Sequence, residues 1–554
     1  MAPGIRRGSR GADALVRSLG VAGVERIFTL SGNHVMPVFD AVFDSGIGLL
    51  HTRHEASAVH MADAWSRITG RVGVALVTGG PGHANAVSAL YTAQMAEAPI
   101  VLLSGHAPND QIGRGAFQEM RQADIAAPVC KAAWTCAGAG QVASDVARAI
   151  RIAASGRPGP VHLSLPTDAL EGEAGTATPD ERSFAVEPMA LAHDVAAALM
   201  HNLAEASRPL ILVGPSAMTR PMREATAALQ AASGVPVVGM ESPRGVADPS
   251  LGAFAEVLAR ADCVLLVGKR LDFTLKFGSA PSLAAAAQVH QIDADDAEIE
   301  RSRRALGDRL RTATRADTPS ALGALTAAAR AAAGAARSGG VAPTSSWLAD
   351  VLGAVAYRPA AWSVARSDMP GRLHPVQMLR PLQALLDSDA ESVLVCDGGE
   401  IGQWASACLS APHRVINGVA GSIGSGLPYA LGARCARPDA PVVAVMGDGT
   451  IGFHIAEFDT AVRHRLPFVA VVGNDARWNA EYQIQLREYG PSRLLGCELL
   501  PTRYDLVAQA FGAHGEQVSD AAAMTAAAGR AQASGLPTCI NVMIEGVAAP
   551  QIRR

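Results

Sequence analysis

Apolar residues in this chain gather in short unbroken runs, such as residues 74–77 and 442–446, set between Ala-rich stretches of helical character. Parallel strands buried on both faces produce runs of this kind, without alternating polar positions, so the pattern predicts strands covered by helices on each side. Three such blocks follow one another. The first predicts strands at 26–30, 72–77, 100–104 and 161–165. The second predicts them at 209–213, 235–239, 263–268 and 289–292, and the third at 392–396, 441–446, 468–472 and 538–543. A polar stretch at 168–188 reads as a linker, and the Gly/Ala/Ser/Pro-rich stretch 334–373 as a second connection. The expected fold is α/β, with three doubly wound parallel-sheet domains over residues 1–175, 189–335 and 374–548. Blocks one and three share a similar alternation, as related sheets would. The middle block resembles a nucleotide-binding sheet, yet no G-x-G-x-x-G follows a strand there, so binding through that fingerprint is unsupported.

Composition narrows the partners. The formal charge is -4, from 47 Lys and Arg against 51 Asp and Glu. Such a chain offers no net basic field for a nucleic acid. Lys occurs only at 131, 269 and 276, and no polybasic tract marks a membrane surface. No apolar run approaches the roughly 20 residues that span a bilayer, and residues 1–10 carry Arg without a following apolar segment, unlike a secretory signal. The 8 Cys form no C-x-x-C pair and fit buried thiols in a reducing compartment, so a cytoplasmic location is expected.

Candidate chemistry lies at predicted strand ends. Gly447-Asp448-Gly449-Thr450 follows one strand and Gly473-Asn474-Asp475 the next, with Asp448 and Asp475 27 positions apart. Open α/β sheets bind ligands at such ends. Glycines allow close backbone approach and leave amides free, a following helix offers a positive terminus, and hard oxygen donors suit Mg2+ on phosphate oxygens. Taken alone, these segments are also a tight turn and a helix cap. Asp397-Gly398-Gly399-Glu400, at another strand end, is a further candidate lining, and a double reading applies likewise to Gly421-Ser422-Ile423-Gly424, otherwise a Gly/Ser turn, and to Arg53-His54-Glu55-Ala56, where a Glu at a helix start is ordinarily a dipole partner. It applies as well to Thr78-Gly79-Gly80-Pro81-Gly82 with Asn85, to Phe117-Gln118-Glu119 and to Gly156-Arg157-Pro158-Gly159-Pro160.

In order and spacing these segments resemble the thiamine-diphosphate enzymes, and in particular their acetolactate-synthase-like branch, along nearly the whole chain. The resemblance implies pyrimidine-binding, central and diphosphate-binding domains in that order, with thiamine diphosphate and Mg2+ as cofactors. By position it assigns the metal to Asp448, Asp475 and the Arg477 carbonyl, and the diphosphate lining to Gly398, Gly399, Glu400, Gly449, Thr450 and Asn474. Gly421 would accept from the aminopyrimidine, Ile423 would wedge between the cofactor rings, and Gly80 and Asn85 would be further contacts. Glu55 is the expected catalytic carboxyl, on the pyrimidine nitrogen, with His34 and Gln118 beside it. His34 is either a structural hydrogen-bond partner or a proton relay. Asn33, Trp478, Asn479 and Tyr482 would face the substrate. Asp475 departs from the family, which usually has Asn there; the added carboxylate strengthens a hard-cation site and repels the diphosphate.

The family builds each active site from the first domain of one subunit and the third of another, implying a homodimer or homotetramer. The implied activity is that of a carbon–carbon lyase or carboligase forming an enamine-type intermediate from a 2-oxo acid or a related small carbonyl substrate. Residues 476–482 depart from the Gln-Gly-Met-Val segment of biosynthetic acetolactate synthases, which keeps open a 2-hydroxyacyl-CoA lyase or a benzaldehyde-lyase type. A paired His motif typical of pyruvate decarboxylases is absent. The alternative of another class is a non-catalytic cofactor-binding subunit, against which Glu55, Asp448 and Ile423 together argue.

Overall fold

The computed structural model describes residues 9–336 and 345–554. The basic stretch at 1–8 and residues 337–344 of the expected connection lie outside the described residues. The first sheet comprises β1 (Arg26–Thr29), β2 (Gly48–His51), β3 (Gly73–Val77), β4 (Ile100–His106), β5 (Ala132–Thr135) and β6 (Val161–Pro166), in the order β2-β1-β3-β4-β6-β5. In the middle sheet β7 (Pro209–Val213), β8 (Val237–Gly239), β9 (Cys263–Val267), β10 (Gln288–Asp293) and β11 (Leu310–Arg315) run β11-β10-β9-β7-β8. The third joins β12 (Val393–Cys396), β13 (His413–Ile416), β14 (Val442–Gly447), β15 (Val469–Asn474), β16 (His514–Val518) and β17 (Thr538–Met543) as β13-β12-β14-β15-β17-β16. All these pairings are parallel. The outer two sheets therefore share one winding order.

The central strands are buried along their length, as β3, β4, β7 and β9 illustrate. Five strands that the hydrophobic runs do not announce, β2, β5, β11, β13 and β16, are all sheet edges. An edge strand meets a neighbour on one side only, and these mix polar with apolar residues, so they form no unbroken run. The expected connection at 334–373 also contains a helix, Ser345–Ala356, which buries Trp347 and Val351 against the middle domain, the Trp347 indole donating to the Pro209 carbonyl at 2.8 Å.

One apolar core runs from the first sheet into the third through two packed helices, Glu55–Thr69 and Gly426–Ala436. At their contact Tyr429 donates to the buried Asp63 carboxylate at 2.8 Å, and Asp63 also pairs with Arg67 at 2.8 Å. Arg157 fastens the first domain to the middle one, paired with Glu97 and Asp293 and donating to the Gly268 carbonyl at 3.0 Å. Arg414 reaches Glu241 at 2.6 Å between the third domain and the middle one. No helix among the described residues is long and apolar enough to cross a membrane.

Candidate active site

The carboxyl ends of β12, β14 and β15 open onto a cavity of about 320 Å³. Its lining includes Gly398, Gly399, Glu400, Gly421, Ile423 and residues Asp448, Gly449 and Thr450. Asp475, Arg477, Trp478 and Asn479 close it from the β15 side, and Pro243 and Arg244 enter from the middle domain. Just past β14, Thr450 caps the turn, its hydroxyl exchanging hydrogen bonds with the Gly447 backbone at 3.1 Å. Past β15, Ala476 takes a left-handed conformation at φ 59°, and the Arg477 amide donates back to the Asp448 carboxylate at 3.1 Å. Both Asp448 and Asp475 are buried. Burial pushes each carboxyl well above the usual range, and repulsion from Asp448 adds to the shift at Asp475. A proton or a hard cation relieves such a pair.

The Ile423 loop is held from below. Asp397, buried at the end of β12, accepts from the amides of Gly398 at 2.6 Å and of Gly424 and Gly426 at 3.0 Å. Ile423 lies so close that a Cβ on Gly398 would stand 2.4 Å from its Cγ2, leaving room only for glycine there. His454 holds the same loop through the Gly424 carbonyl, 2.7 Å from Nδ1. On the opposite wall the Trp478 indole packs over Gly449.

A second group assembles at the ends of β1 and β3 in the first domain. Glu55 opens the helix Glu55–Thr69 and is 8% exposed; Asn85 donates to its carboxylate at 3.0 Å. The Gly80 amide donates to Gln122 at 2.8 Å, and Gln118, at φ 58°, packs against Gly80. His34 lies 3.3 Å from the Thr78 hydroxyl and stacks on Phe117. Burial, helped by the neighbouring His106, holds its imidazole below the ordinary value, so the ring is neutral near pH 7. Asn33 is exposed beside it.

Within one chain these two groups stay apart: no residue of the first domain lines the third-domain cavity. Two expected residues are also turned elsewhere. Asn474 does not reach the cavity, because its amide nitrogen is committed to the Thr502 carbonyl at 3.0 Å and to Asn541 at 3.1 Å. Tyr482 sits under the Arg477 guanidinium, 4.2 Å from the ring centre, outside the cavity wall. Asn479 stands at the rim and donates to the Val547 carbonyl at 3.1 Å. The sequence reading missed Pro243, Arg244 and the anchoring role of Asp397; the last had a signal in the Asp-Gly-Gly-Glu segment, whereas nothing local marks the first two.

Family models describing the thiamine pyrophosphate enzyme N-terminal binding domain, central domain and C-terminal binding domain match residues 9–125, 196–315 and 397–542. The chain belongs to the thiamine pyrophosphate enzyme family. Among proteins similar to it, an acetolactate synthase large subunit IlvG of Mycobacterium tuberculosis is 34% identical, over 97% of this chain and 96% of that one. A 2-hydroxyacyl-CoA lyase 2 of Danio rerio is 31% identical over 91% and 86%, and one of Homo sapiens 30% identical over 92% and 85%. The three sheets match the three family domains, and the chain is a thiamine-diphosphate-dependent enzyme of the acetolactate-synthase-like and 2-hydroxyacyl-CoA-lyase-like group. Its residues fit the cofactor: a glycine-lined cavity at strand ends carries two buried carboxylates, Asp448 and Asp475, whose mutual repulsion a hard cation would relieve.

Proposed function

We propose that the chain is a Mg2+-dependent carbon–carbon lyase or carboligase acting on 2-oxo acids, aldehydes or 2-hydroxyacyl compounds. It works as a homodimer or homotetramer in the cytoplasm, each site combining the first domain of one copy with the third domain of another. The observation that carries this reading is the split site, with Glu55 and its companions in one domain and the glycine-lined carboxylate cavity in another. The free cysteines, most of them buried, support a reducing compartment.

Asp448, Asp475 and the Arg477 carbonyl hold the metal, and Gly398, Gly399, Gly449 and Thr450 receive the diphosphate. Bound thiamine diphosphate supplies a nucleophilic carbon and an electron sink beside a carbonyl. Glu55, fixed by Asn85, holds a proton against the pyrimidine ring. Ile423, braced through Asp397, sets the shape of the floor, and Trp478 keeps water from the metal turn. Neutral His34 takes or returns a proton at the substrate oxygen, with Gln118 beside it.

Calorimetry with Mg2+ should register uptake of thiamine diphosphate by both the native protein and Glu55→Gln. Turnover in the variant should drop by at least about a hundredfold, as for loss of an acid–base group. Equal turnover would remove Glu55 from the mechanism, and no uptake would remove the whole reading. Carbon dioxide and acetolactate from pyruvate, against ligation of formyl-CoA or an aromatic aldehyde, separates the acetolactate-type version from the lyase types.

A further inference from the structure

Gln122 opens the short helix Gln122–Ala126 and is 1% exposed. Its side-chain carbonyl accepts from the Gly80 amide at 2.8 Å, just past β3. Its NH2 group donates to the Gly105 carbonyl at 3.1 Å, near the end of β4, and to the Ser164 hydroxyl at 3.0 Å on β6. A backbone amide only donates and a backbone carbonyl only accepts, so Gly80 and Gly105 fix which way the side-chain amide points. One polar group thereby ties together three neighbouring strands, β3, β4 and β6. The Gly80 amide, buried with it, has an acceptor there that an apolar side chain would not supply.

The turn that Gln122 holds requires glycine. Gly80 sits at φ 59° and ψ -115°, and a Cβ there would stand 2.8 Å from the Cβ of Gln118. Gln118 and Gln122, four positions apart on one segment, therefore both grip it. Gly80 is also the N-cap of the helix Pro81–Met95. In the first turn of that helix Gly82 faces Glu55, where a Cβ would stand 3.2 Å from Oε1, and Asn85 donates to the other carboxylate oxygen at 3.0 Å. The Glu55 carboxylate thus rests on the start of a helix whose first residue is anchored by Gln122. The segment carrying Gln122 has further ties of its own. Glu119 accepts from the amides of Gly113, Gly115 and Ala116 at 2.6, 3.1 and 3.0 Å, and the His106 ring lies 2.9 Å from the Met120 carbonyl. Loss of the Gln122 amide alone therefore frees the turn and leaves the segment held.

We propose that Gln122 is a positioning residue for the Glu55 carboxylate, acting through the Gly80 turn and the helix Pro81–Met95. A proton-transfer group works only where its surroundings hold it to within a fraction of an ångström. The proposal rests on the acid–base role of Glu55 and adds the side chain that sets its place.

The test needs no substrate. Holoenzyme loaded with thiamine diphosphate and Mg2+ is placed in D2O, and exchange of the hydrogen on the cofactor's reactive carbon for deuterium is followed by NMR after acid quench. Glu55→Gln should slow this exchange by at least about a hundredfold. Gln122→Met keeps the bulk, removes all three hydrogen bonds and should slow it by about tenfold or more. Gln122→Glu retains an acceptor for the Gly80 amide and should slow it by less, between about twofold and tenfold. In the Glu55→Gln background either Gln122 substitution should shift the rate by less than about twofold, because the group it positions is gone. Calorimetric uptake of thiamine diphosphate, retained in every variant, certifies folding; if Gln122→Met fails to load, the two-background comparison with Gln122→Glu decides. A native rate in the Gln122 variants, or equal slowing with and without Glu55, overturns the proposal and leaves the cofactor reading intact. A native rate in Glu55→Gln overturns the role of Glu55 and this proposal together, and no uptake by the native protein overturns the whole reading.

Discussion

Asp397 shows how one side chain shapes the site without lining it as a catalyst. Its carboxylate gathers three amides beneath the Ile423 loop, and burial nonetheless pushes its pKa up from 3.8 to about 6. In the window between those values the folded chain holds a proton that the unfolded chain releases. Stability from this group is therefore complete below the lower value and is lost as pH rises through the upper one. The expected contribution is about 3 kcal/mol. Thermal melts of the cofactor-free protein should show this fall between pH 4 and 7, and Asp397→Asn should flatten it; an unchanged pH dependence would contradict the assignment. At this scale the sequence was informative where chemistry restricts residue type. Asp448 and Asp475 stood out through their spacing of 27 positions and the family resemblance it carries, since each segment alone is also a turn or a cap. Asn474 did not disclose its direction, because Thr502 and Asn541, which turn its amide inward, come from distant segments.

Helices and strands were legible in proportion to how much of their surface is covered. Central strands buried on both faces appear as unbroken apolar runs, while the edge strands β2, β5, β11, β13 and β16 carry too mixed a composition to announce themselves. The helix Glu55–Thr69 deserves its own test because it both presents Glu55 and joins two domains. Tyr429 reaches Asp63 on it from the helix Gly426–Ala436, and both groups are buried. Tyr429→Phe keeps the ring and strips the hydroxyl, leaving a carboxylate oxygen without that donor. A loss of about 1–3 kcal/mol follows from the desolvation cost. Denaturant unfolding should register it as a lowered midpoint, and a midpoint matching the native protein would mean that Arg67 alone satisfies Asp63.

For the whole molecule the decisive prediction concerns mixing. Glu55→Gln and Asp448→Ala chains should each be inactive alone. Refolded or co-expressed together, they should regain about a quarter of native turnover, since half of random pairs are mixed and each mixed pair contains one intact site. Continued inactivity of the mixture would place both residues in the same chain's site. The contributions of Pro243 and Arg244 to the site were not legible in the sequence, because the middle and third domains meet only once the chain is folded.

The two outer sheets also bear on how freely such a gene can be rearranged. Each sheet takes all its strands from one contiguous stretch and closes its own crossovers, so no strand depends on chain threading between domains. A coding sequence recut to translate the β12–β17 segment ahead of the β1–β6 segment, with a linker long enough to span the distance, would preserve every hydrogen-bonded ladder and the helix-to-helix seam. The ladders of the two outer sheets thus do not enforce the order in which their segments are translated.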